Sequence, residues 1–92
     1  MTRRATKKML HRAESAIREE RFVDAEETYR QLLIRFEHAT PSLLDFAACL
    51  VGLIRTLYAS DQEQEALIMA ERAPELLDAM ETSEPERIEV AA

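Results

Sequence analysis

The sequence predicts an all-α fold, and three observations support this prediction. The 92-residue chain contains one Gly and three Pro, so it has few of the residues that the tight turns of small β-proteins require. Apolar residues recur at intervals of three and four, which is the period of a helix buried on one side. Hydrophobic residues make up 47% of the chain and charged residues 33%, which is typical of a single small domain with a modest core.

The first two predicted helices form an antiparallel hairpin. Residues 6–20 and residues 22–38 each carry one apolar stripe. The connection at Glu20 and Arg21 is short, and two helices joined so briefly must fold back on each other. The stripes consist of Met9, Leu10, Ala13, Ala16 and Ile17 in the first helix, and of Phe22, Ala25, Tyr29, Leu32, Leu33 and Phe36 in the second.

A third helix, at the centre of the fold, is predicted over about residues 41–59. Thr40 would cap its N-terminus, and Pro41 would occupy its first position, where a missing N–H has no consequence. The segment is apolar on nearly all sides, which indicates a helix with neighbours on two or three faces. Gly52 lies inside it and costs about 1 kcal/mol relative to Ala, which a close backbone approach by a neighbouring helix would explain.

A fourth helix is predicted to begin with a capping box formed by Ser60 and Glu63. Pro74 predicts a kink or a stop, with a further turn or a short capping helix after it. Residues 81–92 contain four Glu and little to bury, so they are predicted to form a disordered acidic tail. The predicted buried side of the fourth helix consists of Ala66, Leu67, Met69, Ala70 and Ala73.

The two halves of the chain repeat each other at a spacing of 41 residues. Residues 20–25 align with residues 61–66, and each segment is a polar turn, an acidic residue and an alanine that starts a buried face. A recurring helix–turn–helix unit is typical of an α-solenoid. The helical domain is therefore predicted to span residues 1–80, with one repeat at about 6–38 and the other at about 41–80.

These units resemble the tetratricopeptide repeat family. In its first helix the family has a bulky residue, a leucine, a small residue and an aromatic, in that order. These four positions fall on Met9, Arg12, Ala13 and Ala16 in the first half of the chain. In the second half they fall on Leu50, Leu53, Ile54 and Leu57. The alanine and the aromatic of its second helix fall on Ala25 and Tyr29, and then on Ala66 and Ala70. Arg12 and Ile54 depart from the pattern, and Glu37 and Asp78 replace its closing proline.

The repeat length also departs from the usual tetratricopeptide repeat. A spacing of 41 residues exceeds the usual length of about 34, and it is more similar to the longer repeats of the kinesin-light-chain type. The resemblance covers about residues 6–80. It implies a short right-handed α-solenoid of two repeats and about four helices, and a plain four-helix bundle is the alternative.

The resemblance further implies a binding groove along the first helix of each repeat. Apolar residues flanked by charges of both signs suit an amphipathic helix or an extended peptide, with Arg18 and Arg55 pairing with its carboxylates. The inward positions contain no Lys/Asn pair, which disfavours the acidic C-terminal motif that some members of the family hold. The alternative for Leu10 and Val51 is packing between the repeats. The predicted partner-binding residues are Leu10, Glu14, Ile17, Arg18, Val51, Arg55 and Tyr58.

The sequence does not favour an enzyme, a metal site or a cofactor. His11 and His38 lie far apart, and neither has a His or Cys three or four residues away. Cys49 lies in the apolar central helix and is interpreted as a small buried residue, because no base or cationic neighbour is evident. No catalytic residue and no metal ligand is therefore predicted.

The charge and the hydropathy pattern favour a protein partner in the cytoplasm. The net charge of −6 disfavours nucleic acid. The four basic residues among the first eight are interpreted as a frayed helix end, with a nucleic-acid or acidic-lipid arm as the alternative. No apolar run has the length of a signal peptide or a membrane span.

The predicted function is an adaptor or a small chaperone-like protein that binds a partner helix or peptide. Because two repeats leave both ends of their core uncovered, the chain could also dimerise or dock on a larger protein. The chaperone comparison rests on fold alone. The alternative is a four-helix bundle that acts as a homodimerisation or regulatory module.

Overall fold

Four α-helices make up the protein in the computed structural model, which describes residues 3–38 and 41–82. No strand occurs within these residues, and the predicted all-α fold is confirmed. None of the four helices is long and apolar enough to cross a membrane. The helices are α1 (Arg3–Arg18), α2 (Phe22–Phe36), α3 (Leu43–Ala59) and α4 (Glu63–Thr82).

The helices form two hairpins that lie side by side with corresponding ends together. α1 packs along α2, and α3 packs along α4. Lys7 Nζ, near the start of α1, is 3.8 Å from Asp45 Oδ1 at the start of α3. Arg30 Nη2, in α2, is 2.7 Å from Glu65 Oε1 at the start of α4. α3 contacts α1, α2 and α4, so its predicted central position is confirmed.

The turns within the two hairpins have the same backbone geometry at the predicted spacing of 41 residues. Glu20 and Asp61 both have a positive φ, of 59° and 63°. The next residues, Arg21 and Gln62, each donate a 2.8 Å hydrogen bond to the carbonyl five residues earlier, and each accepts a 3.0 Å bond from the alanine four residues later. The repeat seen in the sequence therefore extends to the conformation of the chain.

The core forms where α1, α2 and α3 meet, and Tyr29 is its largest buried side chain. A Cβ atom on Gly52 would overlap Cζ and Oη of the Tyr29 ring and would lie 2.6 Å from Cε1. A neighbouring helix does approach Gly52 closely, but a side chain of α2 makes the contact, so the predicted backbone approach is wrong. The fully buried apolar residues also include Ala13, Ala25, Leu32, Cys49, Leu53 and Leu57.

The predicted start of α3 is wrong by two residues. Ser42, and not Thr40, caps the helix, because its extended backbone directs Oγ to accept a 3.0 Å hydrogen bond from the N–H of Asp45. Pro41 precedes the cap and does not occupy the first helical position. Thr40 lies outside the described residues.

The predicted capping box before α4 is also wrong. Ser60 is the C-terminal cap of α3, where its Oγ donates a 2.9 Å hydrogen bond to the carbonyl of Thr56. The same Oγ accepts a 2.9 Å bond from Gln62 Nε2. The hydroxyl faces back along α3 because the chain reverses at Asp61, so Ser60 is not available to the N–H groups of α4.

α4 continues through Pro74 to Thr82, so the predicted stop at this proline is wrong. Half-buried residues continue the packed side of the helix beyond Pro74, at Leu77 and Met80. α4 includes the first two residues of the predicted tail, and the remainder, 83–92, lies outside the described residues. Leu67 and Ala70 are exposed although they were predicted to be buried, because α4 packs on one side only.

Candidate protein-binding groove

One side of α3 is not covered by any other described helix. Leu44, Val51 and Tyr58 are 75%, 54% and 60% exposed, and their spacing of seven residues places them in one stripe along the helix. Ala48 and Arg55 lie in the same stripe and are also exposed. The prediction that α3 is covered on nearly all sides is wrong for this stripe, because α1 contacts α3 less extensively than α2 and α4 do.

The α1 side of the predicted groove divides into two kinds of residue. Glu14 and Arg18 are exposed. Leu10 and Ile17 are half-buried and pack against the core, so the alternative of packing between the helices describes Leu10 better than it describes Val51. The exposed apolar area of the groove therefore comes mainly from α3.

Tyr29 of α2 is buried in the core, where its ring packs against Gly52 of α3. Burial, followed by the charge of Glu14 on α1, raises the pKa of its hydroxyl to about 12. The charge of Arg55 on α3 acts in the opposite direction. Charges on α1 and α3 therefore both affect this buried group.

We call this surface the α1–α3 groove. Leu44 lies in the same exposed stripe of α3, although the binding residues predicted from the sequence do not include it. The signal that could have located it is its spacing of seven residues from Val51. The groove comprises Leu10, Glu14, Ile17, Arg18, Leu44, Val51, Arg55 and Tyr58.

The charges of the groove are available to a ligand. Within residues 3–38 and 41–82, neither Glu14 nor Arg55 forms an ion pair. Arg18 Nη2 donates a 3.2 Å hydrogen bond to Ser15 Oγ, one turn earlier in α1. A partner could therefore pair with a carboxylate at one side of the groove and with a guanidinium at the other.

The chemically reactive residue types lie outside this groove or are inaccessible. Cys49 is fully buried, burial raises its pKa to about 12, and its Sγ donates a 3.5 Å hydrogen bond to the Tyr29 carbonyl. The prediction of a small buried residue at Cys49 is confirmed. His11 lies in α1 and His38 lies two residues after the end of α2, and both are exposed. No group of three His, Cys, Asp or Glu residues in the described part of the chain is placed to hold a metal ion.

No protein-family model, no curated protein and no solved structure matches this chain. The chemistry of the α1–α3 groove is therefore the basis for a function.

Proposed function

We propose that the chain is a non-enzymatic protein-interaction module that holds a helical or extended segment of another protein in the α1–α3 groove. The observation that supports this proposal is the stripe of Leu44, Val51 and Tyr58, three large apolar side chains exposed along one face of α3. Exposed apolar residues bordered by charges are typical of surfaces that bind proteins. Glu14 and Arg55 supply such charges.

We also propose that the two hairpins are tetratricopeptide-like repeats in a short right-handed solenoid. The identical turn geometry at Glu20 and Asp61 supports two copies of one unit. The parallel placement of the hairpins supports stacking of those copies. In this arrangement the first helices, α1 and α3, form one surface, and a partner in the cytoplasm would bind there.

The groove favours a partner that is amphipathic and carries both charges. Val51 and Tyr58 would contact its apolar side, since an aromatic ring supplies a large contact area at a small loss of side-chain freedom. A carboxylate of the partner would pair with Arg55, and a basic residue would pair with Glu14. Seven-residue spacing of anchors on α3 suits a helix that lies along it.

The test is selection of peptides from a displayed random library against the whole chain, followed by titration of the selected peptides. We expect Tyr58→Ala to weaken their binding by about tenfold or more, because an exposed aromatic anchor is lost. Arg55→Glu should weaken the peptides that contain acidic residues most. Val23→Ala is the matched control, because Val23 is a large exposed apolar residue on α2, outside the groove.

Two results would contradict the proposal. One is a selection that yields no binder. The other is a set of binders whose affinity is unchanged by Tyr58→Ala and whose contacts, mapped by NMR chemical shifts, lie away from α1 and α3.

A second candidate function, homodimerisation through α3, is favoured by the symmetry of the exposed stripe. Leu44 and Tyr58 each lie seven residues from Val51, so two antiparallel copies of α3 would place Leu44 of one copy against Tyr58 of the other. Light scattering separates the candidates. A dimerisation module with Tyr58→Ala or Arg55→Glu should become monomeric, whereas an adaptor should keep its oligomeric state and lose only its partner.

A further inference from the structure

α1 carries a concentration of positive charge that does not stabilise the helix. It contains six Lys or Arg residues and one Glu, and its first turn has no acidic residue. Cations near a helix N-terminus are opposed by the helix dipole. In the described residues Lys7 makes an ion pair with another helix, whereas Lys8 and Arg12 make none. The basic residues at the start of the chain belong to α1 and are exposed there.

Lys8 and Arg12 border an open cleft lined by α1 and α2 alone. The cleft has a volume of about 650 Å³, and none of its lining residues is acidic. Ala5 and Met9 supply its apolar surface, while cationic side chains from both helices form its rim. We call this cleft the basic edge, and it is lined by Ala5, Lys8, Met9, His11, Arg12, Gln31 and Arg35.

α4 has the opposite charge. It contains six Asp or Glu residues and one Arg. On the side opposite its packed residues, Leu67 and Ile68 are 58% and 55% exposed, and Glu71 and Glu75 follow at helical spacing and are exposed as well. We call these four residues the acidic face.

The basic edge and the acidic face are separated within one chain. α1 packs mainly on α2, and α4 packs on α3, while α1 and α4 do not pack along each other in the described residues. The two opposite charges therefore do not neutralise each other inside one molecule. They lie at the two ends of the helix stack, where each is open to another molecule.

We propose that the acidic face of one copy of the chain docks on the basic edge of a second copy. Glu71 and Glu75 would face Lys8 and Arg12, so that opposite charges attract the two copies and orient them. Leu67 and Ile68 would cover the apolar surface of the cleft. Because the two surfaces differ, the contact is head to tail, and each bound pair keeps one free surface of each kind.

A second copy fits these surfaces better than a nucleic acid or an anionic membrane does. Asp24 and Glu27 lie beside the basic edge, in an adjoining cleft that also includes Arg12, and the whole chain has a net charge of −6. An extended polyanion would meet these carboxylates, whereas a single acidic helix covers only the cationic rim. The proposal does not rest on the proposed function, because it uses neither Val51 nor Tyr58.

The test uses two charge-reversed variants of the whole chain in sedimentation velocity. The basic-edge variant carries Lys8→Glu and Arg12→Glu, and the acidic-face variant carries Glu71→Lys and Glu75→Lys. We expect the wild type to associate with increasing concentration and to bind about tenfold or more weakly at about 500 mM than at about 50 mM NaCl. Each variant alone should be monomeric.

The decisive sample is an equimolar mixture of the two variants. The acidic-face variant keeps an intact basic edge, and the basic-edge variant keeps an intact acidic face. The mixture should therefore associate through this wild-type pair of surfaces, and the reversed charges on the two remaining surfaces are also opposite to each other. Glu63→Lys, at an exposed position of α4 outside the basic edge, the acidic face and the groove, is the control for altered charge, and its self-association should equal that of the wild type.

Three results would overturn the proposal. The first is a wild type that is monomeric at all concentrations in low salt. The second is a mixture that remains monomeric although circular dichroism shows both variants to be folded. The third is a wild-type dimer that both charge-reversed variants retain and that Tyr58→Ala abolishes, since this result would assign the contact to α3.

Discussion

The contact between Gly52 and Tyr29 determines how closely α2 and α3 approach. In an open helix, Gly52→Ala would stabilise the protein by about 1 kcal/mol. Here the added methyl group would overlap the Tyr29 ring. We therefore expect Gly52→Ala to lower the free energy of unfolding by about 1–3 kcal/mol, as measured by urea denaturation.

The matched experiment introduces Gly52→Ala into a Tyr29→Leu background. Without the ring, the same methyl group should cost less than it does in the wild type, so the two substitutions should show a favourable coupling. Stabilisation by Gly52→Ala in the wild-type background would contradict the packing described for these two residues.

Glu26 joins α2 to the start of α4 and makes stability depend on pH. Its carboxylate accepts hydrogen bonds from Gln62 Nε2 at 3.0 Å and from Arg30 Nε at 2.9 Å. The bond from Gln62, followed by that from Arg30, lowers the pKa of Glu26 from its usual 4.5. A carboxyl group with a lowered pKa in the folded state stabilises the protein above pH 4.5, and this contribution is lost as the pH falls through the folded-state pKa.

We therefore expect Glu26→Gln to lower the free energy of unfolding at pH 7 by up to about 1 kcal/mol. The difference from the wild type should shrink as the pH falls below 4.5. Glu27→Gln, at the next and more exposed position, is the control. This account would be contradicted if the difference in the free energy of unfolding between Glu26→Gln and the wild type stayed constant over about four pH units, from pH 7 to pH 3.

At the scale of one helix, α3 is held at its two ends by different serines. Ser42 Oγ accepts from the N–H of Asp45 at the N-terminus, and Ser60 Oγ donates to the carbonyl of Thr56 at the C-terminus. We expect Ser42→Ala to cost about 1 kcal/mol, since a side-chain cap is lost. Thermal or urea unfolding measures this loss.

Glu63 distinguishes this arrangement from the capping box that the sequence predicts. A capping-box glutamate would bond to the backbone N–H of Ser60, but Ser60 N–H donates instead to the carbonyl of Thr56. Glu63→Gln should therefore change the free energy of unfolding by no more than about 0.5 kcal/mol. A loss equal to that of Ser42→Ala would show that Glu63 does cap the helix.

At the scale of the molecule, the four helices differ in how firmly they are held. Seven residues of α3 are buried, whereas Ala66 is the buried residue of α4 among those described. The contact of α4 is one-sided, so we expect its amides to exchange fastest and those of α3 slowest, as measured by hydrogen exchange. Equal protection in α3 and α4 would show instead that the described residues unfold as one unit.

The number of helices, their approximate bounds and the 41-residue repeat were predictable because they follow from local periodicity. A stripe such as Met9, Ala13 and Ala16 requires only that residues three and four apart share a face. The capping residues were not predictable in the same way. Ser42 and Ser60 act as they do because of the direction in which the chain enters and leaves α3, and neighbouring helices set that direction.

The groove was predictable only in part. The sequence places Val51, Arg55 and Tyr58 on one face of a helix, but an apolar face can meet either a neighbouring helix or water. Leu10 and Ile17 pack against the core, while Val51 and Tyr58 are exposed. The exposure of Leu44 could not be predicted, because it depends on which helices cover α3.

By itself, the sequence determined an all-α chain of two similar hairpins, since hydrophobic period and short polar turns act over a few residues. Only the tertiary structure decided which apolar stripe remains exposed on α3 and that the charges of α1 and α4 lie at opposite ends. The physical reason is that exposure and charge separation depend on which helices become neighbours. That choice is made by packing between distant segments, such as Tyr29 against Gly52.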